Sequence, residues 1–314
     1  MIPIHFIPSD TNVPFLKWRN VAISASLIGV VAAIVLFFSA GLNYGIDFRG
    51  GTLIQIKTPQ AADIGTLRGQ VGGLGLGDVE IQEFGAPNEV LIRLVQQPGG
   101  EAEQQQAINK VKVALGDTVE YERVEVVGAK VSGELVQEGI IAVLVAIFAV
   151  LIYIWFRFEW QFSVGAVVAL VHDVLLTIGL FSLLQLDFNL SIIAAILTIV
   201  GYSLNDTVVV FDRVRENLRK YKRTDLAELL NMSINDTLSR TILTSGTTLI
   251  ALGSLYTFGG EVIRGFTFAM IWGIVIGTYS SIFIASPLLL YLGVKRDWSG
   301  QTGGGKAEKA AAAS

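Results

Sequence analysis

Two acids sit where charge is costly. Asp206, preceded by Asn205, lies inside the apolar part of GYSLNDTVVVFDRVREN (201–217), ahead of Val208, Val209, Val210 and Phe211. Asp173 follows His172 near the middle of a second apolar run. A third run opens at Arg240 and continues with Thr241, Thr244, Ser245, Thr247 and Thr248. An Asp at the centre of a spanning helix costs roughly 2.5–3.5 kcal/mol on insertion scales, so such groups face protein or water and mark function by default. The chemistry open to them is proton exchange. Removal from water disfavours the charged form of a carboxylic acid, an approaching arginine favours it, and alternation between the two couples a proton to helix movement. The bland alternative, for Asp206 and for the His172–Asp173 pair alike, is a structural ion pair or a polar latch between helices.

Helical spacing sets the expected geometry. Arg240, Thr244, Thr247 and Ala251 share one helix face, and Tyr202, Asp206, Val210 and Arg213 share another. With Phe211 at the membrane edge, Asp206 lies about 7–8 Å inside at 1.5 Å per residue. Arg240 starts the next span from the same side. A long arginine can snorkel several ångströms, so Arg240 could meet Asp206 across neighbouring helices; whether it reaches the acid in every state is the question that the spacing leaves open. Val208 to Phe211 would seal the site, and Gly201 to Leu204 would pack tightly ahead of it.

The elements that must position these groups are membrane spans. Of 314 residues, 52% are hydrophobic and only 16% charged, against about 25% charged in soluble domains; mean hydropathy is +0.58. A net charge of −4 gives no basic field for nucleic acid. The chain has no cysteine, which excludes disulfides and Cys-ligated zinc, and its two histidines are too few for a His-rich metal site. Six apolar runs approach the roughly 20 residues that a spanning helix needs: Val21–Ala40, Ile140–Phe156, Phe162–Leu184, Leu190–Phe211, Ile242–Phe258 and Phe266–Leu292. The first ends in Phe38-Ser39-Ala40-Gly41, a poor cleavage site, and reads as an uncleaved anchor. Lys17, Arg19, Arg157, the basic segment 212–240, Lys295 and Arg296 then fall on one side, the cytoplasm. The predicted organisation is a cytoplasmic segment 1–20, a first span at 21–40, an outward domain at 41–134, a five-helix bundle at 135–292 and a flexible cytoplasmic tail at 293–314. In a Gram-negative cell the outward side is the periplasm and the membrane is the inner one.

The outward insert reads β-α-β-β-α-β: strand 52–57, helix 60–71, strands 78–84 and 89–95 joined by a turn at Gly85-Ala86-Pro87-Asn88, helix 101–115 and strand 119–127. That order is a ferredoxin-like α+β plan. Its acidic bias suits a protein-contacting or spacing module. Three motif matches carry no function. Gly300–Lys306 fits seven positions of a phosphate-binding loop, but Ala307 stands where Ser or Thr should ligand magnesium, and a Gly/Ala-rich tail is the better reading. Gly75-Leu76-Gly77-Asp78 resembles the GxGD of intramembrane proteases but belongs to the outward domain. Gly273 and Gly277 form a small-xxx-small packing motif.

Four stretches, GYSLNDTVVVFDRVREN, SRTILTSGTTL (239–249), GIDFRGGT (45–52) and VSGEL (131–135), resemble the SecF family, the smaller subunits of SecDF protein-export complexes. The resemblance runs from the first span through Arg296. It implies a fold of the resistance-nodulation-division (RND) type, with six transmembrane helices forming half of a transporter and one outward domain after the first helix. It implies SecD as the matching half, the SecYEG channel and unfolded preproteins as further partners, and protons as the coupling ion, with no other cofactor and no enzymatic activity. The proton path would run between the halves. Carried over, the family's intramembrane carboxylate falls on Asp206 beside Asn205, its arginine on Arg240, its threonine on Thr244 and its His-Asp pair on His172 and Asp173. One departure is Ala129, where the family pattern has Pro; it would loosen the 128–135 joint between the outward domain and the second span. The competing readings are a half-transporter of another RND-type exporter for lipids or small molecules, a structural scaffold, and an aspartyl dyad of Asp173 and Asp206.

Overall fold

Among the described residues, six helices are long and apolar enough to cross a membrane, the number that the apolar runs predict. The structure, a computed structural model, describes residues 11–294. The expectations placed on Lys295, Arg296 and the Gly300–Lys306 loop lie outside the described residues. After a 3-10 turn, α1 (Arg19–Ser39) leads to a two-residue strand β1 (Asn43–Tyr44) and a single helical turn α2 (Ile46–Arg49).

A four-stranded antiparallel sheet follows: β2 (Gly51–Lys57), β3 (Val79–Phe84), β4 (Ala86–Leu94) and β5 (Glu120–Val127), in the order β3-β4-β2-β5. Helices α3 (Ile64–Gly72) and α4 (Glu101–Leu115) intervene between β2 and β3 and between β4 and β5, which is the ferredoxin-like plan. Alternation explains the packing. Ile54 and Ile56 on β2 and Val90, Ile92 and Leu94 on β4 share a core with Leu67 and Val71 of α3 and Ala107, Val111 and Leu115 of α4. Asp63 caps α3, accepting from the Thr66 amide at 3.1 Å and its hydroxyl at 2.7 Å, and these bonds hold its exposed carboxyl below the usual range. At Gly51, φ is +116° and a Cβ would stand 2.3 Å from the Leu94 carbonyl oxygen, so no side chain fits where β2 meets β4. The hairpin turn is tighter than the sequence suggests. Phe84 pairs with Ala86, leaving Gly85 alone at the turn with φ +83°.

The membrane bundle comprises α1, α5 (Ala129–Arg157), α6 (Trp160–Leu184), α7 (Leu190–Lys220), α8 (Leu226–Phe258) and a broken sixth span. That last span is α9 (Glu261–Ser280), a π-turn at Ser281–Ala285, and α10 (Ser286–Leu292). Pro287 gives the break a cause, because proline donates no amide hydrogen and crowds the carbonyl four residues back. The Ser286 hydroxyl donates to the Ser281 carbonyl at 2.8 Å and satisfies the widened turn. α6, α7 and α9 form the buried centre; α1, α5 and α8 leave most of their apolar surface exposed. Gly273 and Gly277 pack α9 against Ile199 and Ser203 of α7. Gly201, expected to pack tightly, is exposed with nothing near it.

Two further boundaries correct the sequence reading. The basic 212–240 segment is helical almost throughout, since α7 runs on to Lys220 and α8 begins at Leu226. Val214, Leu218, Leu229, Leu230 and Ile234 bury one face of both helices there and leave the charges outside. The expected loose joint at 128–135 is the first turns of α5, with Ala129 at N1, the position where a proline would also fit.

The sheet's helix-free face is tied to the bundle. β1 pairs in parallel with β6 (Asp187–Phe188) in the α6–α7 connection. Arg93 on β4 forms ion pairs with Asp187 and, at 3.4 Å, with Glu80. The Asp47 carboxylate accepts from the Leu190 amide at 2.8 Å, and Asn189 caps the same helix start.

Candidate functional site

Asp173 and Asp206 lie at the contact of α6, α7, α8 and the sixth span, with 1% and 5% of their surfaces exposed. Asp206 accepts from the Thr241 hydroxyl of α8 at 2.6 Å through Oδ1, and from the Ser281 hydroxyl at 2.5 Å through Oδ2. Asp173 accepts from Ser203 on α7 at 2.6 Å and from Ser280 at 2.7 Å, both at Oδ2; its Oδ1 lies 2.9 Å from His172 Nδ1. Ser203 and Asp206 are one turn apart on the same face of α7, so the two acids bracket a single turn of that helix. The adjacent residues Ser280 and Ser281 reach one acid each.

His172 is buried against the Tyr279 ring, with centroids 6.1 Å apart and planes at 28°. Its Nε2 is buried without a hydrogen-bond partner. The Tyr279 hydroxyl lies 2.9 Å from both the Ala22 carbonyl and the Ser26 hydroxyl, which ties this side of the site to α1. Toward the basic end, Phe162 and Phe211 meet edge to face at 5.1 Å, and Phe158 joins them. These rings lie on the side that Val208 to Phe211 were expected to seal, and Phe211 is buried there.

Among the described residues, no Lys or Arg forms an ion pair with either acid. The Arg240–Asp206 contact is not formed in this state, although the Arg240 charge still acts on the acid through space. Arg240 is exposed on α8, and the neighbouring Thr241 turns inward to Asp206 in its place. Thr244 is also exposed, and its hydroxyl donates to carbonyls of its own helix, those of Arg240 at 2.9 Å and Thr241 at 3.0 Å. Asn205 is exposed on α7. Of the six residues expected to form one relay, the structure brings His172, Asp173 and Asp206 into the interior. Arg240, Thr244 and Asn205 lie on open surface of α7 and α8.

Sequence reasoning missed the four hydroxyls that hold the acids. Thr241 was one residue from the face computed through Arg240, and its signal was that 241, 245 and 248 also share a face. Ser280 and Ser281 were hidden in an apolar span, with Pro287 as the only hint of a broken helix. The hydroxyl lining has a chemical consequence. A hydroxyl can donate to a carboxylate and accept from a carboxylic acid, whereas a guanidinium can only donate. The same hydroxyl partners can therefore serve either protonation state of each acid.

Known proteins resemble the chain over most of its length. The family profile described as "Protein export membrane protein SecD/SecF, C-terminal" matches residues 107–295, and the SecD/SecF GG motif matches residues 35–62, around the Gly50-Gly51 pair. The protein translocase subunit SecF of Rhodobacter capsulatus is 47% identical over 309 residues, covering 94% of this chain and 93% of the relative. The subunit of the same name from Cereibacter sphaeroides is 49% identical over 298 residues, 92% of each chain. The crystal structure of SecDF from Thermus thermophilus, a translocon-associated membrane protein, superposes with a TM-score of 0.83 at 36% identity; the match covers 91% of this chain and 39% of that longer one.

Proposed function

The chain belongs to the SecD/SecF family of protein-export membrane proteins, and from that premise we propose that it couples the proton-motive force to preprotein translocation together with a SecD partner. The observation that carries this reading is the pair of buried acids in spanning helices, Asp206 held by two hydroxyls and Asp173 by two hydroxyls and His172. A proton reaching Asp206 neutralises a charge with which, among the described residues, no Lys or Arg forms an ion pair. The contacts of Thr241 and Ser281 change from donation toward acceptance, and three helices sense the change.

The partner half would complete the path. Arg240, Thr244 and Asn205 stand on exposed faces of α8 and α7, the surface that a second six-helix half would cover. In this reading Arg240 approaches Asp206 when the halves move. The motion would reach the outward domain through the β1–β6 pair and the Arg93–Asp187 contact. The basic end, with Arg157, Arg213, Arg215 and Arg219, faces the cytoplasm by the positive-inside rule, and the ferredoxin-like domain faces the periplasm of the inner membrane, where SecYEG delivers unfolded preproteins. Each acid keeps its own set of hydroxyl donors, which favours transport over an aspartyl dyad that shares a proton.

The test is preprotein translocation into vesicles holding the chain, its SecD partner and SecYEG, measured with and without an imposed proton gradient. The gradient should stimulate translocation only when the chain is present. Equal stimulation in vesicles lacking the chain would refute the proposal.

A further inference from the structure

The four hydroxyls around the acids are not equivalent. Among the described residues, Ser203 and Thr241 have no acceptor within hydrogen-bond distance other than the acid they serve. Ser280 and Ser281 each have a second. Ser280 Oγ lies 2.7 Å from Asp173 Oδ2 and 3.2 Å from the Gly277 carbonyl oxygen. Ser281 Oγ lies 2.5 Å from Asp206 Oδ2 and 3.0 Å from the Thr278 carbonyl oxygen. A hydroxyl carries one hydrogen and can donate it to only one of these at a time.

We infer that Ser280 and Ser281 are positioning residues that convert protonation of Asp173 and Asp206 into a change of helix geometry at the junction of α9 and the π-turn. The inference rests on the proton-coupled reading above. While Asp206 is ionised, Ser281 donates to it. When a proton from the gradient binds Oδ2, the new O–H donates to Ser281 Oγ, and the serine hydrogen turns to the Thr278 carbonyl. The only covalent bond formed is the carboxyl O–H; the serine keeps its hydrogen. Ser280 makes the same exchange between Asp173 and the Gly277 carbonyl.

The acceptor carbonyls sit in the last turn of α9, directly before the π-turn. Back-bonding from a serine hydroxyl to its own helix bends that helix, and π-turns mark places where a helix already departs from regular bonding. The small residues there transmit a bend, because Gly277 lies against Ser203, the residue that binds Asp173. Two acids on α6 and α7 thus act on one two-residue step in the sixth span. The titratable or charged groups that the packed elements bring near this step are His172 and Asp173 on α6, Tyr202 and Asp206 on α7, Arg240 on α8 and Tyr279 on α9; α1 brings only Ser26.

The test is pH-difference infrared spectroscopy of the full chain reconstituted with its partner. The wild type should show protonated-carboxyl bands, the Asp206 one lost in Asp206→Asn, together with an amide I difference from the helix. Ser281→Ala should keep the carboxyl band at a shifted frequency and lose most of the amide I difference. Ser281→Thr should restore both, and Ser203→Ala, which removes a donor with no second acceptor, should keep the amide I difference. If Ser281→Ala fails to assemble, Ser281→Cys, of similar size but a weak donor, takes its place with the same expected loss. A wild-type amide I difference in Ser281→Ala or Ser281→Cys would overturn the inference and leave the proton-coupled reading standing. A wild type without any titrating carboxyl band would overturn that reading and the inference with it.

Discussion

Moving a side chain from α7 to α9 where the two touch should separate packing from chemistry at the site. A Cβ placed on Gly277 would lie 3.0 Å from Ser203 Cβ and 3.3 Å from its Cα. Ordinary contact begins at 3.4 Å, so Gly277→Ala is about 0.4 Å too close, and neither opposing atom can rotate away. The helices must part at Ser203, whose hydroxyl holds Asp173 at 2.6 Å. Overpacking of this kind costs about 1–3 kcal/mol, against which alanine recovers about 0.5–1 kcal/mol of helix propensity. Ser203→Gly removes the opposing Cβ and by itself loses a similar propensity. The double variant moves the Cβ from α7 to α9, so its propensity terms largely offset each other and the shortfall drops from about 0.4 Å at Cβ to about 0.1 Å at the remaining Cα. Unfolding in mixed micelles, followed by circular dichroism, should give a coupling energy of about 1–3 kcal/mol in favour of the double variant. Translocation by the double variant should stay impaired, because Asp173 has lost a donor. Additivity of the two substitutions within about 0.3–0.5 kcal/mol would refute the contact and the reasoning built on it.

Three other outcomes follow from the geometry. Arg93→Ala should loosen the sheet from the bundle, since it leaves Asp187 without its buried cation; a charge-assisted bond of about 1.5–3 kcal/mol is lost, and hydrogen exchange should rise at β1 and β6. Gly51→Ala should prevent the domain from folding, because a Cβ there meets the Leu94 carbonyl at 2.3 Å with φ at +116°; limited proteolysis should cut the domain rapidly. Arg240→Gln should change thermal stability by no more than about 0.5 kcal/mol, as for an exposed substitution, yet remove most gradient-dependent translocation, which a vesicle assay would read directly.

The spans and both acids were legible in the sequence because a bilayer tolerates little polarity, so Asp173 and Asp206 stand out against their runs. The outward domain was legible from alternation in strands such as 52–57, where every second residue enters one core. The partners of the acids were not. A serine or threonine in a spanning helix commonly bonds to its own backbone, as Thr244, Thr247 and Thr248 do, so its type says nothing of its direction. Thr241 and Ser281 are distinguished only by packing. The π-turn rotates everything after Ser280 relative to a regular helix, and face arithmetic does not anticipate that. The helical 212–240 segment was missed for a related reason: its charges dominated the reading, while Val214, Leu218, Leu229 and Ile234 kept helical spacing beneath them. Arg93 was equally hidden, since a charged strand residue reads as solvated until a second element covers it.

The central claim is that protonation of Asp206 drives translocation. Its most direct test is gradient-dependent preprotein translocation by Asp206→Asn, in vesicles where the variant is shown to assemble with its partner. Asparagine keeps the size of the side chain and can still accept from Thr241, but it cannot exchange a proton. The account predicts that the gradient-dependent component disappears while gradient-independent translocation remains. Wild-type stimulation by the gradient in Asp206→Asn vesicles would contradict it.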